Sequence, residues 1–305
     1  MIIRKKEHWF RMLFVWRGSV LPSLVPRLVL LLIFSIAVVY FHGTILSFKV
    51  PLNPAPLTLF GFVLALFLGF RNNASYERFW EGRKLWGELL NTSRSLTRQV
   101  ITLNNTGEDK AFTLEMVALI SSFVLALKHQ LRDTDPRAEL SERMDEKTLA
   151  LVMAAKYKPA IIMKLIAERL QAAQAVGRID SIQFARMDQN LDKLADILGG
   201  CERIHNTLIP YSYGVLLHRT VYIYCAMMPF GLVDSLGWFM PILVVFIAYT
   251  FVAFEAIADE IEEPFGNEPN DLALNAMAET IEETIFEMAG KEVEKGRKVG
   301  KEIID

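Results

Sequence analysis

Apolar and polar positions along this chain fall into long blocks. Four apolar runs stand out against the roughly 20 residues needed to cross hydrocarbon. "LVLLLIFSIAVVYF" lies in an uncharged stretch at 28–46, and "PLTLFGFVLALFLGF" covers 56–70. "TVYIYCAMMPFGLV" (220–233) and "LGWFMPILVVFIAYTFVAF" (236–254) follow much later. They predict four transmembrane helices, with Pro229 and Pro241 expected to kink the last two. The second run is short alone but continues as polar helix. It passes into Arg71, Asn72, Asn73, Glu77 and Arg78 with no proline or paired glycine at the crossing. A fifth run, 116–131, is flanked by Glu115 and Lys128 and reads as a buried core helix.

Between and after the spans the pattern is helical. Residues 138–175 mix Ala, Leu, Lys and Glu with apolar residues at helical spacing. "VGRIDS" (176–181) signals a loop in which Asp180 or Ser181 caps the next helix, where Gly199 and Gly200 form a weak point. Strand-like alternation is nearly absent, so the expected class is an all-α membrane protein with a large helical cytoplasmic region. No repeat of 20–50 residues or low-complexity tract interrupts it.

Composition supports a membrane part joined to a water-exposed part. Of 305 residues, 52% are hydrophobic and 22% charged, too apolar for an ordinary soluble domain and too charged for full immersion in lipid. The net charge of −2 points to no nucleic-acid partner. Cys201 and Cys225 make no disulfide framework and fit a reducing compartment. The basic, aromatic N-terminus lacks a smooth apolar core and a cleavage site, and reads as a retained amphipathic stretch. Arg4, Lys5, Lys6, Arg11, Arg17 and Arg27 precede the first span, and Arg71, Arg78, Arg83, Lys84, Arg94 and Arg98 follow the second. The intervening loops hold only Lys49. This asymmetry predicts an inner-membrane protein with both termini cytoplasmic. Four regions follow: 1–70 with the first two spans, cytoplasmic 71–219, 220–254 with the last two spans, and cytoplasmic 255–305.

Residues four apart share a helix face. Gly61, Ala65 and Gly69 form a small-residue row suited to close helix approach. Beside it runs a bulky row, Phe62, Leu66 and Phe70. That row faces lipid or core, or it lines a narrow apolar constriction that controls ion passage by wetting.

"FLGFRNNASYERFWEGRKLWGEL" (67–89), "GGCERI" (199–204), "IPYSY" (209–213), "HRTVYIYC" (218–225) and "EIEEPFGNEPNDL" (260–272) together resemble the bestrophin family of ion channels, in its bacterial branch. The resemblance covers essentially the whole chain. It implies a homopentamer around a central pore conducting monovalent ions, chloride and other anions by the family's name, with sodium-type cation selectivity as the alternative. It implies a pore neck of Phe62, Leu66 and Phe70 and a cytoplasmic aperture at Ile179, with Ile182 as runner-up. Calcium-gated members carry an acidic clasp after Pro-Phe-Gly. Here that segment offers Glu268 and Asp271, with Asn267, Pro269 and Asn270 where those members have acids. Calcium takes about six to eight oxygens, so no cofactor or metal is expected, and Asp271 reads as the cap of a helix from Leu272. The partners implied are other copies of the chain, membrane lipid and monovalent ions.

Other chemistry is thin. Cys201 and His205 sit one turn apart without further zinc ligands. "GKEVEKGRKVGKE" is no phosphate loop, and no serine, histidine and carboxylate spacing marks a hydrolase, so no enzyme is expected. A membrane-anchored scaffold without flux remains the alternative of a different class. A secondary transporter would show internal repeats, which are absent.

Overall fold

The computed structural model describes residues 9–12, 15–16, 18–45, 48–49, 52–103 and 109–291. Arg4, Lys5, Lys6 and Arg17 of the basic N-terminus, and the tail from 292, lie outside them. Helices α1 (Trp9–Met12) and α2 (Leu21–Tyr40) are followed by a two-residue ribbon, β1 (Thr44–Ile45) paired antiparallel with β2 (Phe48–Lys49). Then come α3 (Pro54–Thr102), α4 (Lys110–Leu131), α5 (Arg137–Ser141), α6 (Glu146–Ala154), α7 (Lys158–Ala175) and α8 (Ser181–Asn206). Next are α9 (Tyr211–Leu236), a 3₁₀ turn (Gly237–Phe239), α10 (Met240–Glu262) and α11 (Leu274–Met288). The fold is all-α.

The chain packs as two units. One, the membrane unit, contains Arg4–Phe79 and Leu208–Glu263; the other holds Trp80–Thr207 and the chain from Pro264. The membrane unit therefore keeps the polar helix ends beyond 70, before 220 and after 254. Its helices α2, α9 and α10 pack on one another, and α3 adds Leu64 and Leu68 to their shared core of Leu24, Val221, Val244 and Val252. Lipid is as apolar as these side chains, so association relies on close fit. Glycines supply it: a Cβ at Gly231 of α9 would collide with Leu57 of α3, and one at Gly61 with the Tyr224 ring. Pro241 does not kink its span. It occupies the first turn of α10, where a missing N–H costs nothing; Pro229 lies inside α9.

The second unit is built around α4. Its length and composition match a membrane span, but 67% of its most apolar stretch is buried inside the protein. It packs against α7 and α11, with Phe123, Ile120, Ile162, Ile166 and Ile285 excluded from solvent. Burying each such side chain is worth about 1.5–3 kcal/mol. Asp109 caps α4 through a bond from the Phe112 N–H (3.0 Å). Glu282 of α11 accepts from Arg143 Nε at 2.6 Å and Nη2 at 3.0 Å, and from Ser121 Oγ at 2.8 Å. The expected weak point at Gly199–Gly200 is absent, because α8 runs unbroken through both. Gly200 has a packing reason: a Cβ there would lie 3.0 Å from two Leu85 methyls.

Candidate pore-lining site

Helix α3 presents two opposed faces within the membrane unit. Gly61, Leu64, Leu68, Arg71 and Ser75, at alternating spacings of three and four, are buried. The bulky row is turned away from that packing: Phe62 is 70% exposed, Leu66 49% and Phe70 56%. The small row divides. Gly61 fits against Tyr224, but Ala65 is exposed and Gly69 has open space beside it. Within one protomer, then, only Gly61 of that row mediates close approach.

The polar end of the span is resolved by α10. Arg71 is only 5% exposed and bonds Asp259 and, at 3.3 Å, Glu262. A buried guanidinium needs such partners, because leaving it unpaired costs several kcal/mol. Asn72 donates to the backbone carbonyls of Leu68 (3.0 Å) and Phe254 (3.1 Å). Arg78 Nε donates to the Glu262 carbonyl at 2.9 Å, and the Glu262 carboxylate also accepts from the Ile209 N–H at 2.9 Å. Arg71 and Arg78 thus turn inward onto the end of α10, Arg71 onto carboxylates and Arg78 onto a backbone carbonyl. Asn73 and Glu77 stay exposed, on the same helical face as the bulky row. Glu77 makes no ion pair among the described residues.

The acidic partners lacked a role in the sequence reading, yet their spacing carried a signal. Glu255, Asp259 and Glu262 stand four and three apart on one face of α10. Glu255 Oε1 lies 2.7 Å from His218 Nδ1 of α9.

The loop before α8 separates the two aperture candidates. Ile179 is 2% exposed and Ile182 is 74% exposed. Of the two, Ile182 is the one turned out of its own protomer. Asp180, not Ser181, caps the helix. Its carboxylate accepts from the N–H groups of Ile182 and Gln183 (both 2.8 Å), and Gln183 Oε1 accepts from the Asp180 N–H (2.9 Å).

After Pro-Phe-Gly, Asp271 is buried and its Oδ2 accepts from the Glu268 N–H at 2.7 Å. Asp271 therefore closes its own turn instead of capping a helix; α11 starts at Leu274, after Ala273. Among the described residues no three His, Cys, Asp or Glu side chains converge as metal ligands.

Four apolar helices, α2, the first part of α3, α9 and α10, define a four-span all-α membrane protein. The bacterial/fungal bestrophin family model matches residues 1–287. The chain is 48% identical to a voltage-dependent anion channel-forming protein of Ralstonia nicotianae, over 95% of each chain. It is 40% identical to another protein so named from Escherichia coli, over 94% of each. A crystal structure of a bestrophin homologue from Klebsiella pneumoniae superimposes with a TM-score of 0.86 at 38% identity, covering 88% of this chain and 100% of that one. The chain belongs to the bestrophin family. The Ralstonia and Escherichia relatives are named as channel-forming proteins, not as enzymes.

Proposed function

We propose that this protein is a homopentameric channel for monovalent ions in the inner membrane, with both termini cytoplasmic. Five α3 helices surround the pore, and Phe62, Leu66 and Phe70 form its neck. The observation that carries this reading is that α3 packs its opposite face, pairs Arg71 with α10, and leaves the bulky row bare. Apolar walls bind no ion strongly; they conduct when hydrated and close when dry. The cytoplasmic aperture falls to Ile182, fixed by the Asp180–Gln183 cap. Residues 71–219 and 255–305 form the cytoplasmic part.

Anions are the first expectation, because the relatives are named for them. Glu77 favours a second reading, a cation channel of the same fold, since it is an unpaired carboxylate on the face of the neck. Purified protein in planar bilayers under asymmetric sodium chloride separates the two through the sign of the reversal potential. Leu66→Ala is expected to raise unitary conductance by widening and wetting the neck. Currents of unchanged size and selectivity in Leu66→Ala would remove the neck assignment, and an absence of flux from pure wild-type protein would favour a scaffold.

A further inference from the structure

A cavity of about 840 Å³ opens in the membrane unit between α2, α9 and α10. That volume falls in the range of ligand pockets, about 300–1,000 Å³. Its walls are aliphatic and aromatic, with Leu30 and Phe34 on α2, Ala226 on α9, and Ala248 and Val252 on α10. The two alanines leave the space, and the 72% exposure of Leu30 shows that it opens outward on the surface of α2. Its polar groups include Arg27 and Tyr222. Arg27 Nη1 donates to the Tyr222 hydroxyl at 2.9 Å, which occupies one of five guanidinium N–H donors. No carboxylate pairs with Arg27 among the described residues.

We propose that this cavity binds an anionic phospholipid, with one acyl chain among the aliphatic walls and the phosphate on Arg27. An unpaired guanidinium beside an apolar slot in a membrane protein matches both halves of such a molecule. Basic pockets between membrane helices on the cytoplasmic side take anionic head groups in this way. Only the choice of leaflet rests on the orientation proposed above. The site also touches the rest of the unit: the Tyr222 ring lies 4.5 Å from that of His218, which is bonded to Glu255 on α10.

Native mass spectrometry and thermal unfolding of the purified, full-length protein in detergent test this, with phosphatidylglycerol and phosphatidylcholine of equal chain length as probes. Wild type is expected to retain phosphatidylglycerol and to gain more thermal stability from it than from phosphatidylcholine. Losing a charged hydrogen-bond donor corresponds to a drop on the order of tenfold in affinity, so Arg27→Gln is expected to bind phosphatidylglycerol no better than phosphatidylcholine. Arg27→Lys should keep the preference. Ala226→Trp, or the milder Ala248→Leu if the first fails to fold, should lower retention of both lipids by filling the slot. Equal response of wild type to the two lipids overturns the proposal, as does a phosphatidylglycerol preference that survives Arg27→Gln. A change in oligomer mass with lipid retention unaltered in the filled variants also overturns it, because the slot would then seat a neighbouring copy.

Discussion

Replacing Glu77 tests how a pore with uncharged walls distinguishes the sign of an ion. Its carboxylate is exposed, so the surrounding dielectric is close to that of water. For a separation of about 8 Å between carboxylate and ion in the proposed pentamer, one carboxylate would act on a monovalent ion with about 0.5 kcal/mol, and five with about 2.6 kcal/mol. Screening over a Debye length of about 8 Å at physiological salt reduces the sum to about 1 kcal/mol. A cation gains that much and an anion loses it, so the preference between them moves by about 2 kcal/mol, or roughly thirtyfold. Glu77→Gln should raise the anion-to-cation permeability ratio by about that factor, and Glu77→Lys should raise it further. Reversal potentials across a sodium chloride gradient measure the ratio directly, and raising the salt on both sides should shrink the difference between variants. The reasoning fails if Glu77→Lys conducts with wild-type reversal potential, since the carboxylate then lies away from the ion path.

Other substitutions probe the scaffold. Glu282→Ala removes the two-pronged partner of Arg143, leaving it the Glu142 carboxylate and the Glu139 carbonyl, and is expected to destabilise the protein by about 2 kcal/mol, read as a lower thermal midpoint in detergent; an unchanged midpoint would mean that the pair contributes nothing net. Gly231→Val forces a branched side chain into the place of Leu57 and should cost about 1–3 kcal/mol through overpacking, while Gly69→Ala, which meets no neighbour within the protomer, serves as the contrast. Glu139 is held at about 2, below its ordinary 4.5, by the His129 ring nitrogen 3.3 Å away and the Lys128 ammonium bonded to both its oxygens, against the opposing effect of burial. A depressed carboxylate stabilises above its unfolded value and ceases to do so as pH falls toward 2, so the stability gap between wild type and Glu139→Gln should close between about pH 4.5 and 2, as followed by thermal unfolding.

The membrane helices and the class of fold were legible because length and hydropathy report them directly. The bulky row could be named from spacing, but its direction could not: period alone does not distinguish a face packed on α9 and α10 from one turned away. Burial of Gly61, Leu64, Leu68 and Arg71 made that distinction. Ile179 and Ile182 are a further case. Both are isoleucines beside one loop, and the cap at Asp180 decides which is enclosed. Helix α4 carries the composition of a span, and only its neighbours α7 and α11 reveal a soluble-type core. Gly199 and Gly200 read as a weak point because local propensity ignores a partner side chain such as Leu85, against which Gly200 packs.

The bonds from Arg71, Asn72 and Arg78 to α10 also constrain motion. Turning α3 about its axis by even one residue, about 100°, would pull all three off their acceptors and drag a bare guanidinium into hydrocarbon. The lower end of the span is thus riveted to its neighbour, while Phe62, Leu66 and Phe70 stay largely outside the packing of the described residues. In the pore proposed above, opening and shutting at that level would fall to the swing of those side chains, with the helix standing still as their hinge post.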